Sequence, residues 1–249
     1  MIIFPMAGLS SRFTKAGYDK PKWMLSLAER PLLDWSLLSF ASMFNQEKFL
    51  IVFLDRPGVG AFIESRLAAL NIANPILVPL AEPTRGQAET VHLGLSAADA
   101  SDYDDVTIFN IDTIRPGYSP SALLEKSDGW LECFKGEGDH WSFVKASVES
   151  ASDAIEVVEK VRISDNCCTG IYWFKSVATF DSAYKAELTA PKAAELFVAP
   201  LYQHMLEENK RVTFDVINHN EIFFSGTPAE YEFAKTQQRE LRKCFQEYL

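Results

Sequence analysis

Residues 5–13 read Pro5-Met6-Ala7-Gly8-Leu9-Ser10-Ser11-Arg12-Phe13, and the run continues to Asp19-Lys20-Pro21-Lys22. It follows directly on Met1–Pro5, an apolar stretch with the composition of a buried strand. A glycine and two serines just past a strand let backbone N–H groups approach an anion closely, and the hydroxyls add donors. Arg12 offers a planar fork to phosphate oxygens, and Lys22 a mobile point charge. Arg12, Lys15, Lys20 and Lys22 make a basic cluster in a chain of net charge -10, a contrast that focuses an anionic ligand there. The spacer and Gly-Lys-Ser/Thr of a P-loop are missing, and Gly8 has no second glycine two residues on. Neither the P-loop nor the dinucleotide fingerprint therefore accounts for the stretch.

Working outward, short apolar runs alternate with helix-period segments. Strands are predicted at Met1–Pro5, Phe49–Leu54, Ile76–Leu80 and Val106–Ile111, with helices at Leu32–Phe44, Gly58–Leu70 and Gly86–Ala98. That order is the mark of βαβ units around a mainly parallel sheet. The second half reads differently: strands at Trp130–Phe134, Trp141–Ala146, Ile155–Val161 and Cys168–Phe174, with Gly136, Gly138 and Asp139 suited to a hairpin. Helices are expected at Ala193–Glu208 and Thr227–Tyr248, and the amphipathic tail Gln237–Leu249 closes the chain. The 249 residues, 47% hydrophobic, supply one sizeable core. We expect a single domain spanning residues 1–249, with a nucleotide-binding half at 1–125 and an acceptor-binding half at 126–249.

The acidic balance argues against a nucleic-acid binder, which needs a basic face. No stretch of 18 apolar residues marks a membrane span, and the apolar start Met1–Met6 lacks a charged n-region and is too short for a signal peptide, so no targeting segment is expected. Cys133, Cys167, Cys168 and Cys244 fit no zinc spacing, which points to a reduced, cytoplasmic compartment.

The N-terminal stretch resembles the signature of the nucleotidyltransferase family that includes sugar-1-phosphate pyrophosphorylases and small cytidylyltransferases. That signature is a Gly-rich loop ending in Ser/Thr-Arg, followed by a Pro-Lys. Ala7, Gly8, Leu9, Ser10, Ser11 and Arg12 match the loop, and Pro21-Lys22 the pair. Ala16-Gly17-Tyr18 is similar to the bacterial capsule- and surface-polysaccharide branch. The resemblance implies a Rossmann-like three-layer α/β fold of the GT-A-like type, with a mixed, mainly parallel central sheet and a small β-rich acceptor lobe. It implies that the loop wraps a triphosphate and that Arg12 and Lys22 are the catalytic cations.

Three later segments agree in order. Pro83-Thr84-Arg85-Gly86-Gln87 opens a helix after a strand, and the resemblance makes Gly86 and Gln87 base contacts. Asp112 ends Phe109-Asn110-Ile111-Asp112, where α/β folds place ligands; by resemblance it holds Mg²⁺ against the α-phosphate. Glu159-Lys160, followed by Thr169-Gly170, resembles the acceptor-binding set, with Val161 in place of the usual proline. The family's late metal-binding aspartate falls at Phe224, which leaves Asp215 or Glu221 as replacements, or a site with one protein carboxylate.

The implied reaction joins an NTP and a phosphorylated small acceptor, a sugar 1-phosphate by family breadth, with Mg²⁺ as cofactor and pyrophosphate as product. The product would serve as an activated precursor of capsule or surface polysaccharide. A CTP-dependent transfer to a non-sugar acceptor is the alternative. A glycosyltransferase on a similar fold ranks behind both, because Asn110 stands where an Asp-x-Asp pair would begin. A homo-oligomer stays open.

Overall fold

The computed structural model describes residues 1–248; Leu249, the end of the expected tail helix, lies outside them. Nine strands form one sheet: β1 (Ile2–Met6), β2 (Phe49–Leu54), β3 (Pro75–Leu80), β4 (Val106–Phe109), β5 (Gly129–Lys135), β6 (Ser142–Ala146), β7 (Ala154–Glu159), β8 (Asn166–Phe174) and β9 (Val212–Ile217). The order β7-β6-β8-β4-β1-β2-β3 runs across it, and β5 and β9 branch from the other edge of β8. β4, β1, β2 and β3 are mutually parallel, whereas β8 runs antiparallel to β4, β5 and β6. The sheet is thus mixed: four parallel strands lie in the first half of the chain, and in the second half β9 pairs parallel with β5.

The continuous apolar runs have a direct cause. Ile2, Phe4 and Met6 of β1 enter one core cluster and Ile3 the other; Phe49, Ile51 and Phe53 of β2 split from Leu50 and Val52 in the same way. A strand covered on both faces has no polar side to show. One face is covered by α2 (Leu32–Leu38), α3 (Val59–Ala69), α7 (Pro228–Thr236) and α8 (Gln238–Cys244). The other is covered by α4 (Gln87–Ala97), α5 (Val177–Thr189) and α6 (Ala199–Glu207). No described helix is long and apolar enough to cross a membrane.

Several expectations are corrected. The segment 136–139 closes no hairpin: β5 pairs with β8 and β9, while β6 pairs with β7 and β8. The carbonyls of Gly136 and Gly138 are held instead by the Arg162 guanidinium at 2.9 and 2.7 Å. The helix expected from Ala193 begins only at Ala199, with Pro200 in its first turn. Before it, the Leu196 carbonyl accepts the N–H of Ala88 at the start of α4 (2.8 Å), so this segment crosses to another helix rather than coiling on itself. The long C-terminal helix breaks at Gln237, which ends α7 and begins α8. Strand β4 stops at Phe109, two residues early, because the Asn110 carbonyl accepts the Thr113 N–H (3.0 Å) and closes a turn over Ile111 and Asp112. Helix α5 and strand β9 have no counterpart in the sequence reading.

The C-terminal helices close on the N-terminal loop. Helix α1 (Ser11–Lys15) buries Phe13, whose ring packs edge-on against Tyr18 and Tyr231 at 5.4 and 6.1 Å. Tyr18 donates to Glu232 and Tyr231 to the Ser26 carbonyl, both at 2.7 Å. Phe245 lies 5.4 Å from Trp35.

Gly170, in the middle of β8, has φ +96°, and a Cβ there would fall 2.6 Å from Asn110 Nδ2. Gly170→Ala should cost about 2–4 kcal/mol, from left-handed backbone strain and overpacking together. Urea unfolding followed by circular dichroism measures it; an unchanged midpoint would contradict the account.

Candidate active site

Strands β1, β2 and β3 succeed one another to one side, whereas β4 returns to the other side of β1. The loops leaving β1 and β4 therefore diverge, and the crevice between them is where open α/β sheets bind ligands. A cleft of about 550 Å³ opens there. Ala7, Gly8, Leu9, Arg12, Lys22, Gly86, Gln87, Asp112, Glu159, Lys160 and Thr169 line it. Ser10, Ser11 and Gly170 do not.

On the β1 side, Ser10 adopts left-handed backbone (φ 52°) and its Oγ accepts the Lys22 N–H at 3.3 Å, tying the Pro-Lys segment to the loop. Strain at a non-glycine residue marks a loop whose surroundings fix its shape. Gly8 is exposed, and a Cβ added to it meets no protein atom within 4 Å. Arg12 is exposed at the rim. Lys22 Nζ lies 2.5 Å from Asp112 Oδ2, with side chains 20% and 25% exposed. Asp112 is held through its backbone carbonyl, which accepts the Ser225 N–H (2.8 Å) and Oγ (3.0 Å), leaving the carboxylate to the cleft. A Cβ at Gly226 would fall 2.8 Å from Asp112 Oδ2 and 3.3 Å from Glu230 Oε2.

The replacement carboxylates are engaged elsewhere. Asp215 accepts from Ser121 and from Trp130 Nε1 (2.9 Å), and Glu221 caps its own turn through the Asn218 N–H (2.8 Å). Neither lines the cleft, whereas Glu230 does. Sequence reasoning missed Glu230, although the capping-box spacing Thr227…Glu230 places it at the start of α7 beside Gly226.

Gly86 is required by contact within the protein: a Cβ would stand 2.5 Å from the Leu196 carbonyl oxygen. Gln87 donates to Asn110 Oδ1, so α4 and the β4 loop are locked together. Thr84 does not cap α4; its hydroxyl bonds the Gly86 carbonyl (3.1 Å) and Thr90 (2.7 Å).

Across the cleft, Glu159 is nearly buried and accepts from Ser142, its register partner on β6. Lys160 has left-handed backbone (φ 55°), gives its N–H to the Trp141 carbonyl (2.9 Å), and lies 3.5 Å from Glu159 and 4.0 Å over the Phe197 ring. The Thr169 hydroxyl faces Glu132 Oε1 at 3.2 Å, and Gly170 packs on Asn110, so this pair forms the floor beneath the cleft. Burial raises the Glu132 carboxyl even though Arg115 stands 3.1 Å away, and burial likewise holds the Tyr172 phenol well above its ordinary range. Trp141, Phe197 and Phe224 also line the cleft. Each is a single ring in an irregular segment or a two-residue strand, so no periodicity announces it.

No protein-family model matches the chain, and no curated protein sequence matches it. Solved structures do. A nucleoside-diphosphate-sugar pyrophosphorylase from Vibrio cholerae RC9 is 37% identical, with a TM-score of 0.91, covering 95% of this chain and 100% of that one. An inositol-1-phosphate CTP transferase from T. maritima is 14% identical (TM-score 0.73), over 97% of this chain and 95% of that one. A UDP-glucose pyrophosphorylase complexed with UDP-glucose is also 14% identical (TM-score 0.73), over 96% and 98%. The last two share the fold.

Because the space above Gly8 is open, Gly8→Val should leave stability within about 0.5 kcal/mol of wild type. If that space receives a triphosphate, the same substitution should weaken NTP binding about tenfold or more. Thermal unfolding and calorimetric titration separate the two effects, and full NTP affinity in the variant would remove the loop from the binding site.

Proposed function

The chain belongs to the nucleotidyltransferase family, and on that footing we propose that it moves a nucleoside monophosphate from an NTP onto a sugar 1-phosphate and releases pyrophosphate. The observation that carries this reading is the 2.5 Å contact of Lys22 with Asp112, which joins the β1 and β4 loops at the switch point. An oxygen of the acceptor phosphate forms a bond to the α-phosphorus, while the bond from that phosphorus to the departing pyrophosphate breaks. A phosphate dianion is already a competent nucleophile, so no covalent enzyme intermediate is needed. The work left to the protein is positioning and charge stabilisation. Arg12 and Lys22 offset charge on the transferred and leaving phosphates, and the Gly8 loop supplies backbone donors. Glu159 and Lys160 hold the acceptor.

The donor set fits Mg²⁺. Asp112 is a hard oxygen ligand already facing a cation, and Gly226 leaves beside it the space a side chain would fill. Magnesium commonly takes one or two carboxylates plus waters and substrate phosphates. Asp112 would hold it, with Glu230 across the same gap, and the chemistry supplied there would be Lewis-acid stabilisation of charge on the nucleotide phosphates. Glycosyl transfer is less well served, since Asn110 is engaged by Gln87 and Gly170 rather than free at the metal. The likeness of Ala16-Gly17-Tyr18 to the surface-polysaccharide branch supports a product used as an activated precursor of capsule or surface polysaccharide. The free, buried thiols of Cys133, Cys167 and Cys168 suit a reducing cytoplasm.

Incubation with single NTPs, Mg²⁺ and a panel of sugar 1-phosphates, read as pyrophosphate release, tests the reaction. Lys22→Ala should lower kcat/KM about a hundredfold or more, the loss of roughly 3–4 kcal/mol of barrier stabilisation, with the fold intact. Asp112→Asn should abolish the enhancement of NTP binding by Mg²⁺ while binding without metal survives. Calorimetric titrations with and without Mg²⁺ decide this, and equal enhancement in variant and wild type would exclude Asp112 as the ligand.

A further inference from the structure

Two rings stand together on the acceptor side of the cleft. Trp141 and Phe224 lie 4.8 Å apart at 51°, and both line the open space. Behind them the fully buried Phe134 touches both, edge-on to Trp141 at 5.0 Å and tilted to Phe224 at 5.1 Å. The pair is fixed from the backbone as well. Phe224 is in register with Thr113, the neighbour of Asp112. Trp141 accepts the Lys160 N–H, and its own indole N–H is given to the Glu137 carbonyl (3.0 Å). With that donor engaged, Trp141 can offer a ligand only its ring, and Phe224 has nothing else to offer.

A part-exposed aromatic pair lining a cleft that also carries Lys22, Asp112, Glu159 and Lys160 gives an apolar ligand face a surface to cover beside polar groups that can bond its rim. Next to the wall, Ser142 follows Trp141 directly and holds Glu159, whose carboxylate can accept hydroxyls. A flat C–H face with hydroxyls at its rim matches this combination. Building on the sugar 1-phosphate reading, we infer that Trp141 and Phe224 form a stacking wall for the C–H face of a pyranosyl 1-phosphate. The wall sits next to Asp112 because the ring of such an acceptor is attached directly to the attacking phosphate. Phe224 then serves acceptor choice at the position where the resemblance expects a metal-binding aspartate.

The test varies each substrate in turn for Trp141→Ala, Phe224→Ala and Trp141→Phe. Each alanine variant should raise the KM for the sugar 1-phosphate about three- to tenfold and leave the NTP KM unchanged. Trp141→Phe should restore most of the acceptor KM, yet lose the change in tryptophan emission that the sugar 1-phosphate produces in wild type. Matching thermal midpoints show that the variants are folded. Equal shifts in both KM values, or none, with wild-type turnover intact, would overturn the wall alone. A wild-type protein that releases no pyrophosphate with any pyranosyl 1-phosphate would overturn the sugar reading and the wall with it.

Discussion

One backbone hydrogen bond, from the Asn110 N–H to the Gly170 carbonyl, holds the two parts of this molecule in their working relation. It carries the β4–β8 ladder one residue past Phe109, to the point where the Asn110 carbonyl accepts the Thr113 N–H (3.0 Å) and the turn presents Asp112 to the cleft, and so attaches that turn to the strand from which the antiparallel part is built. Gly170 can make it only because it lacks a side chain and accepts a positive φ. On one side of this join stands the Lys22–Asp112 pair, fixed further by Ser10 and Ser225, and on the other the floor made by Thr169 and Glu132.

The local charge follows a similar logic. A chain of net charge -10 repels anions at a distance. The loop after β1 nevertheless carries Arg12, Lys15, Lys20 and Lys22, of which Arg12 and Lys22 line the cleft, while Glu132 is kept beneath the surface and paired with Arg115. An anionic ligand entering between β1 and β4 therefore meets backbone donors and cations first. Of the carboxylates that line the cleft, Asp112, Glu159 and Glu230 are each engaged by a donor in the protein itself, and Glu195 is exposed.

What could be read from sequence follows from how each feature is encoded. Strands β1 and β2 and helices α3 and α4 are legible because burial on two faces writes unbroken apolar runs and turn residues bound them. The N-terminal loop is legible because its glycine, hydroxyls and cations are contiguous. The contact between Lys22 and Asp112 spans 90 positions and exists only through strand order; the resemblance gave each residue a role but not their contact. The misplaced hairpin at 136–139 and the late start of α6 share one cause. In both, a distant partner, Arg162 or Ala88, claims backbone groups that local propensity would have spent nearby. Trp141, Phe197 and Phe224 are invisible to pattern reasoning because a lone aromatic in a loop has no period.

The aromatic triangle of Phe13, Tyr18 and Tyr231 has a consequence for the order in which the protein is made. The N-terminal half can assemble its parallel strands as soon as residues up to Phe109 are outside the ribosome. The loop between β1 and Lys22 cannot be clamped until Tyr231, Glu232 and then Phe245 have followed, more than a hundred residues later. The loop after β1, translated well before α7 and α8, is thus among the last parts to be fastened. A nascent chain stalled or truncated before α7 would carry a folded sheet with an unfastened loop.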